Sequence, residues 1–387
     1  MKTLSVFFHA FSDLAMHVLP MRSLTRPRYA FGFLVHPRDD YDVFRKFPIL
    51  RILPQTWLER FLNGFWPITV SRITGLRDKE GHPIGGFVFS IPLTSRMLLE
   101  NRDRSKRKIL SALRLAHKRG VHLVGLGGLI SSVTGGGLTI LPEVNDMAIT
   151  TGHAYTAVNV TNNVFALAEY FRIDPKKARI AIVGAAGSIG SSSAHILARA
   201  GYARLLLVDL ARKRSQFESL AETLRDAGAT DVVLSHQIGD IKDCDIVIAA
   251  TNAPEALIEA RDLKPGAIVV DDAQPSDVAA DVLERDDVLA IEAGVVRTPG
   301  ISMNFNMGLK HREDLFCCLA EVLILASEEQ REHYVVHRAT LAHVDEIKAR
   351  GEALGFVIAP FQNRKELIPQ ARLETLRHVI AHNGIQL

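Results

Sequence analysis

Apolar and polar positions follow two different rhythms along this chain, and the change between them falls near residue 174. Between Tyr29 and Pro92 the apolar residues come in short, β-branched runs closed by Pro or Gly, as in FGFLVHP (Phe31 to Pro37) and ITVSRITG (Ile68 to Gly75). Such runs predict short strands joined by turns. Lys79 to Leu93 reads as a turn and then a strand. Ahead of this region Leu4, Phe7, Phe8, Phe11, Leu14, Ala15 and Val18 recur at helical spacing, with Arg22, Arg26 and Arg28 following. That is an amphipathic helix with a basic exit, either docked on the protein's own core or lying on a membrane surface. Arg102 to Arg119 predicts a second helix, in which eight Arg and Lys residues accompany one acid, Asp103, and a stripe of Ile109, Leu110, Leu113 and Ala116. Its basic side is either a solvated face or a landing site for an acidic or phosphate-bearing partner.

After Asp174-Pro175-Lys176-Lys177 the pattern alternates strand and helix. Ile180, Ile182 and Val183 form a strand of the kind covered on both faces; Leu205 to Val208, Val232 to Leu234, the apolar part of DCDIVIAATNAP, Ala267 to Val270 and Ala290 to Val296 follow, with a helix at Gln216 to Ala227. This predicts a doubly wound α/β, Rossmann-type nucleotide domain beside an α+β substrate domain completed by C-terminal helices. The boundaries read from the sequence are residues 1–28 for the amphipathic segment, 29–172 for the substrate domain, 173–303 for the dinucleotide domain and 304–387 for a helical part packing back on the substrate domain.

The candidate chemistry begins where the first strand of the second half runs into Gly184, Gly187 and Gly190. This G-x-x-G-x-x-G spacing allows a tight turn and close backbone approach to a pyrophosphate, which would sit on the amides of Ser188, Ile189 and Gly190 at the helix start. Asp209 ends the next strand about 20 residues on, where a ribose-binding acid belongs in a dinucleotide fingerprint. Asp209 argues for NADH, and Arg212, Lys213 and Arg214 argue for NADPH. Thr251 and Asn252, at a carboxyl strand end, and Gly294, past the last strand, complete the candidate cofactor set.

Gly125 to Gly137 holds too many glycines for an ordinary strand, so its backbone is expected to bend closely around something, with Gly127 and Gly128 as candidate oxyanion donors, or to be an ordinary flexible connection. Thr151, Gly152 and His153 open a helix running to Phe171 and are candidates for the same role, His153 reading equally as a surface or internally satisfied histidine. In LKHREDLFCCLAEVLILA, Leu309 to Ala326, Asp314 is expected to cap a helix with an apolar stripe of Leu315, Leu319, Val322, Leu323 and Ala326. Cys318 falls beside that stripe and Cys317 turns about 100° away. The pair reads either as small buried hydrophobes or as a thiol activated in a first helical turn.

Composition narrows the classes. The 387 residues carry 47% hydrophobic content, enough for two domains, and a formal net charge of +3, which does not suggest a nucleic-acid partner. Three cysteines, two adjacent, provide neither a disulfide framework nor zinc spacing, and no metal ligand set is read. A reducing, cytoplasmic setting is expected, with peripheral contact at the inner membrane surface if the first helix lies on lipid. No apolar run reaches transmembrane length, and His9, Ser12 and Asp13 interrupt the segment a signal peptide would need.

FGFLVHP at Phe31, ITGLRDKEGHPIGG at Ile73, GLGG at Gly125, TTGHAYTA at Thr150, VGAAGSIGS at Val183, EAGVV at Glu292 and LFCCLAE at Leu315 resemble, in this order, the long-chain acyl-(acyl-carrier-protein) reductases of the cyanobacterial type. The resemblance spans roughly Tyr29 to Pro360. It implies reduction of a fatty acyl thioester, on acyl carrier protein or coenzyme A, to fatty aldehyde through a cysteine acyl-enzyme and hydride from NADPH, with NADH not excluded. The F-x-C-[LF]-A-E setting implies Cys318 as the acyl acceptor. An aldehyde-consuming enzyme is the implied downstream partner. The chain departs from the family at His153, where asparagine is common, at Asp209, and in its first 28 residues. Two other functions stand beside this one: a dehydrogenase of a polar metabolite of the shikimate-dehydrogenase kind, and a non-catalytic dinucleotide sensor at a membrane.

Overall fold

In a computed structural model of the chain, residues 2–19, 27–144, 146–304 and 307–382 are described. Two compact units are present, Met1–Gly152 with Thr298–His337, and His153–Arg297 with Arg338–Leu387. In chain order the first unit contributes α1 (Lys2–Val18), β1 (Ala30–Val35), α2 (Asp40–Lys46), α3 (Gln55–Gly64), β2 (Ile68–Thr74), β3 (Gly85–Ser90), α4 (Ser95–Glu100), α5 (Arg102–Lys118), β4 (Leu123–Leu126), α6 (Leu129–Val133) and β5 (Ala148–Thr150). The second unit follows with α7 (His153–Phe171), β6 (Arg179–Val183), α8 (Ser188–Arg199), β7 (Arg204–Val208), α9 (Arg214–Asp226), β8 (Asp231–Ser235), β9 (Ile246–Ala249), β10 (Ile268–Asp271) and β11 (Leu289–Glu292). The chain returns to the first unit for α10 (Cys317–Ser327) and ends in the second with α11 (Leu341–Ala353) and α12 (Gln370–His382).

The second unit is the doubly wound nucleotide fold that the sequence pattern predicts. Its six strands lie in the order β11-β10-β9-β6-β7-β8, all parallel. The run R-I-A-I-V explains the central position of β6. Ile180 and Ile182 enter one hydrophobic core and Ala181 and Val183 another, so successive side chains bury on opposite faces. The first unit holds a mixed sheet in the order Ser302–Met303, β2, β3, β1, β4, β5, with β3, β1, β4 and β5 parallel and β2 antiparallel to β3.

The unit boundaries differ from those expected at 172/173 and 303/304. Helix α7 belongs with the nucleotide sheet because Val160, Val164, Leu167 and Phe171 enter the same core as Ile180 and Ile182. The C-terminal part divides: α10 packs on β1 and β4 of the first unit, and α11 on α7 and α8 of the second. The turn at Asp174 therefore lies inside a unit and not between two.

Two helices differ from their periodicity. In α1 the docked face runs through Asp13 and Met16, while Phe11 and Val18 are exposed; the side chains of Leu4, Phe7 and Phe8, and residues Arg22 and Arg26, lie outside those described. Asp13 is fully buried and accepts from the Thr69 amide at 2.7 Å and from Arg119 Nε at 3.0 Å, a charge pair that ties α1 to β2 and the end of α5. The seven cations of α5 and Arg119 at its C-cap do not form one face. Arg119 is buried with Asp13, and the Lys108 and Lys118 ammonium groups donate to the carbonyls of Phe65 and Met16. Among the described residues no helix is long and apolar enough to cross a membrane.

Candidate functional site

In the first unit the cysteine pair sits where β-structure turns into α10. Asp314 does not cap this helix: it lies in the short strand Asp314–Phe316, 2% exposed, and Phe316 is the N-cap, with no side-chain bond to the first turn. The expected stripe is also replaced by burial on every side from Leu319 to Ser327, because α10 is a central helix of its unit. At its head Cys317 is buried and Cys318 is partly exposed. The uncapped amides of a first turn stabilise negative charge, which favours the thiolate form of a cysteine placed there.

Glycines bring the backbone up to this helix. A Cβ on Gly152 would lie 2.3 Å from Cys318 Cβ and 2.4 Å from its Cα, and Gly152 has φ +81°, a region L side chains rarely adopt. A Cβ on Gly125 would meet Val322 at 2.3 Å, so the glycine-rich strand end bends closely around α10 itself.

Three candidate oxyanion amides already have acceptors. The Gly127 N–H donates to Leu34 O at 3.0 Å, Thr151 to Val335 O at 3.0 Å, and Gly152 to Glu321 Oε1 at 3.1 Å. Gly128 is exposed, with φ +53° that its glycine permits, and its amide has no internal acceptor among the described residues. Thr151 is buried, and its hydroxyl has no partner among the described residues. His153 is half-buried at the first position of α7, in the other unit.

Glu321 is a site residue that spacing and motif do not mark as a candidate. Fully buried one turn after Cys318, it accepts from the Gly152 amide and the Thr150 hydroxyl, and so fixes the β5–Gly152 segment against α10. A carboxylate in an otherwise apolar helix, three residues after a cysteine, was the available signal. Cys244 is fully buried, and burial pushes its thiol up to about 12, so it is inert at neutral pH.

In the second unit the glycine turn has the shape of a phosphate cradle. Gly184 takes φ +84°, where a Cβ would meet Ala250 O at 2.5 Å, and a Cβ on Gly190 would meet Gly184 O at 2.4 Å, which lets α8 close on the strand. Gly187 has an ordinary φ of −73°, and its missing side chain leaves the turn open, with Gly184 O 3.0 Å from the Cβ position. No side chain caps α8, so the amides of Ser188, Ile189 and Gly190 remain at its head for an anion. These residues fit the pyrophosphate of a dinucleotide. Gly187→Val is therefore expected to lower calorimetric affinity for NADPH and NADH at least about tenfold with the unfolding midpoint nearly kept. Gly190→Val is expected to lower the midpoint as well, because its Cβ meets backbone.

Asp209 is more engaged than the fingerprint implies. Its side chain is 5% exposed and accepts from the Ala186 amide at 3.0 Å, the Leu210 amide at 2.8 Å and the Lys213 ammonium at 3.0 Å. It ties the glycine turn to the end of β7 and neutralises Lys213; Arg214 pairs with Glu218, leaving Arg212 exposed. Thr251 donates its hydroxyl to Asp277 at 2.6 Å, Asn252 is exposed, and a Cβ on Gly294 would lie 2.7 Å from an Asp272 oxygen.

Asp271, the last residue of β10, forms a buried acid cluster with Asp272 and Asp277 beyond the strand's carboxyl end. Burial pushes Asp271 up to about 7, with Asp277 adding to the shift, and pushes Asp277 up to about 6. Both are raised above an unfolded value of 3.8, so the folded chain holds extra protons between about pH 4 and 7. Their contribution to stability is complete below about pH 4 and is lost as pH rises through 6 to 7. Unfolding free energies from denaturant titration are expected to be lower at pH 8 than at pH 5 by on the order of 4 kcal/mol from this source, and Asp271→Asn is expected to reduce the difference. At the turn Asp78–His82, Asp78, Glu80 and His82 bring possible ligand atoms within 4.8 Å of one another, and Arg28 lies 3.7 Å from both carboxylates.

Comparison with known proteins meets this geometry at the glycine turn. Residues 166–293 match the Shikimate / quinate 5-dehydrogenase family. Over 299 residues the chain is 26% identical to the long-chain acyl-[acyl-carrier-protein] reductase of Synechococcus elongatus, covering 74% of this chain and 83% of that protein. Over 369 residues it is 26% identical to the aminotransferase PigE of a Serratia species, covering 91% of this chain but 42% of PigE, so the chain spans less than half of that relative's length. Quinate dehydrogenase from Corynebacterium glutamicum, solved with NAD, is 15% identical, with a TM-score of 0.31, 62% of this chain and 78% of that one being covered. By sequence, then, the chain is related to dehydrogenases and reductases, and its residues 166–293 are similar to the shikimate/quinate dehydrogenases.

Proposed function

We propose that this chain is a nicotinamide-dinucleotide-dependent oxidoreductase that reduces a long-chain fatty acyl thioester, delivered on acyl carrier protein or coenzyme A, to a fatty aldehyde, with NADPH as reductant. The observation that carries this reading is Cys318: a partly exposed thiol in the uncapped first turn of α10, with its buried neighbour Cys317 beside it and the glycine backbone of residue 152 against it. The similarity to the Synechococcus reductase supports the substrate class, and the glycine turn supports the cofactor class.

In this mechanism the Cys318 thiolate attacks the thioester carbonyl, the bond from that carbon to the carrier sulfur breaks, and the carrier thiolate leaves and takes up a proton. The dinucleotide, when bound, supplies hydride. The resulting thiohemiacetal oxyanion collapses, the carbon–Sγ bond breaks, and aldehyde departs. Glu321 positions the Gly152 backbone that flanks the thiol. A cytoplasmic setting, peripheral lipid contact through the exposed Phe11, Val18 and Leu19 of the N-terminal segment, and transfer of the product to an aldehyde-consuming enzyme belong to the same proposal.

The test is to incubate the full chain with acyl thioesters of several chain lengths, on both carriers, with NADPH or NADH, and to measure aldehyde directly. Aldehyde formed with either cofactor supports the proposal, and its absence from every combination overturns it. The family match at residues 166–293 favours one second reading, a dehydrogenase of a polar hydroxy acid. Reduction of NADP or NAD by such acids, with thioesters inert, would establish that reading instead.

A further inference from the structure

A pocket of about 480 Å³ lies wholly within the nucleotide unit, in the groove between α8 and α9 and under the start of α11. Its position is informative, because Ala186 of the glycine turn forms part of its wall and Ser215, in the first turn of α9, another. Six of its thirteen lining residues carry hydroxyls and none carries a carboxylate. The wall's cation is Arg338. Among the described residues the acceptor for its guanidinium is the Ala186 carbonyl, through one NH2 group, which leaves further donors of a five-donor fork for a ligand. Ala339 N donates to Ser188 Oγ at 2.9 Å, which holds the Arg338 segment to the head of α8. His195 in the same wall is kept toward its neutral form by burial and by Arg199, so it adds a hydrogen-bonding group and no competing charge.

We propose that this pocket takes a phosphate monoester, with Arg338 as its charge partner and the hydroxyls of Ser215 and Ser219 as neutral donors. A planar guanidinium among hydroxyls, in a wall that contains no carboxylate, matches a dianion carrying several acceptor oxygens. The volume is more than ten times a water's share of about 30 Å³, room for a sugar phosphate and not only for one small anion. This inference rests on the dinucleotide reading for the source of the ester: the 2′-phosphate of NADPH, entering from the glycine turn. It moves cofactor choice away from Lys213, which Asp209 neutralises, to an arginine more than 120 residues later in the chain that no local motif announces.

Calorimetry on the full-length protein tests it with adenosine 2′-monophosphate, adenosine 5′-monophosphate, inorganic phosphate, NADPH and NADH. The 2′-monophosphate is expected to bind at least about tenfold more tightly than the 5′-isomer; Arg338→Gln should weaken the 2′-monophosphate and NADPH about ten- to a hundredfold while leaving NADH within about twofold, and Arg338→Lys should keep part of the preference. Equal weakening of NADPH and NADH by Arg338→Gln would mean that the residue only props the turn, and unchanged 2′-monophosphate affinity would remove the pocket; either result overturns the proposal. If the wild-type protein binds the 2′-monophosphate or inorganic phosphate through Arg338 but neither dinucleotide, the phosphate pocket stands and the oxidoreductase reading falls.

Discussion

Cys318→Ala is expected to abolish aldehyde formation, with a loss of about a thousandfold or more, while leaving calorimetric dinucleotide affinity unchanged. No other described cysteine can take over: Cys244 is buried with its thiol pushed up to about 12, and Cys317 is 1% exposed at the preceding position of the helix. Cys317→Ala is therefore expected to keep most activity. A second readout separates chemistry from folding. Without reduced cofactor, the wild-type protein given acyl thioester should gain the acyl mass on the peptide containing Cys318, and reduced cofactor should discharge it as aldehyde. If the Cys318→Ala protein turned over at the normal rate, hydride transfer directly to bound thioester would replace the covalent route. The opposite pattern, with Cys317→Ala inactive and Cys318→Ala active, would move the nucleophile by one residue.

Gly152→Ala is expected to damage both stability and chemistry, although it adds a single methyl group. Residue 152 sits at φ +81°, and its Cβ would be placed 2.3 Å from Cys318 Cβ and 2.4 Å from Cys318 Cα. Backbone has to move, and the left-handed conformation adds strain; together these cost on the order of 3–5 kcal/mol. The displacement falls on the first turn of α10, so acylation of Cys318 should slow more than the loss of folded protein accounts for. Measuring acylation per folded molecule, with the folded fraction taken from denaturant titration, checks this. Unchanged acylation and an unchanged midpoint would show that the close approach has no role. Glu321→Gln provides a milder comparison, since an amide oxygen can still accept from the Gly152 N–H.

The nucleotide unit was the part most readable from residues alone. Its strands carry apolar residues at successive positions, a pattern that only a sheet covered on both faces satisfies, and the glycine spacing follows directly. Capping and partnering were much less readable. Asp314 has the right residue type and place for an N-cap, but a strand claims it first; the cations of α5 look like one face until Asp13 and the carbonyls of Phe65 and Met16 take three of them inward. Of the GLGG glycines, Gly125 is the close-contact point for Val322 of α10, while Gly127 lies against Leu34 and Phe33 and Gly128 against His36.

What the sequence by itself determined is local: a buried parallel strand entering a glycine turn, an acid at the end of the next strand, a thiol at the start of an apolar helix. Each depends on neighbours within a few positions, whose spacing sets backbone conformation directly. What only the tertiary structure decided is which of those groups are still available. The Asp209 carboxylate is filled by two amides and Lys213, the amides of Gly127, Thr151 and Gly152 are engaged, and Arg338 arrives at the glycine turn from the far end of the chain. A hydrogen-bonding group is satisfied by whichever partner folding brings within about 3 Å, and that partner can lie anywhere in the sequence.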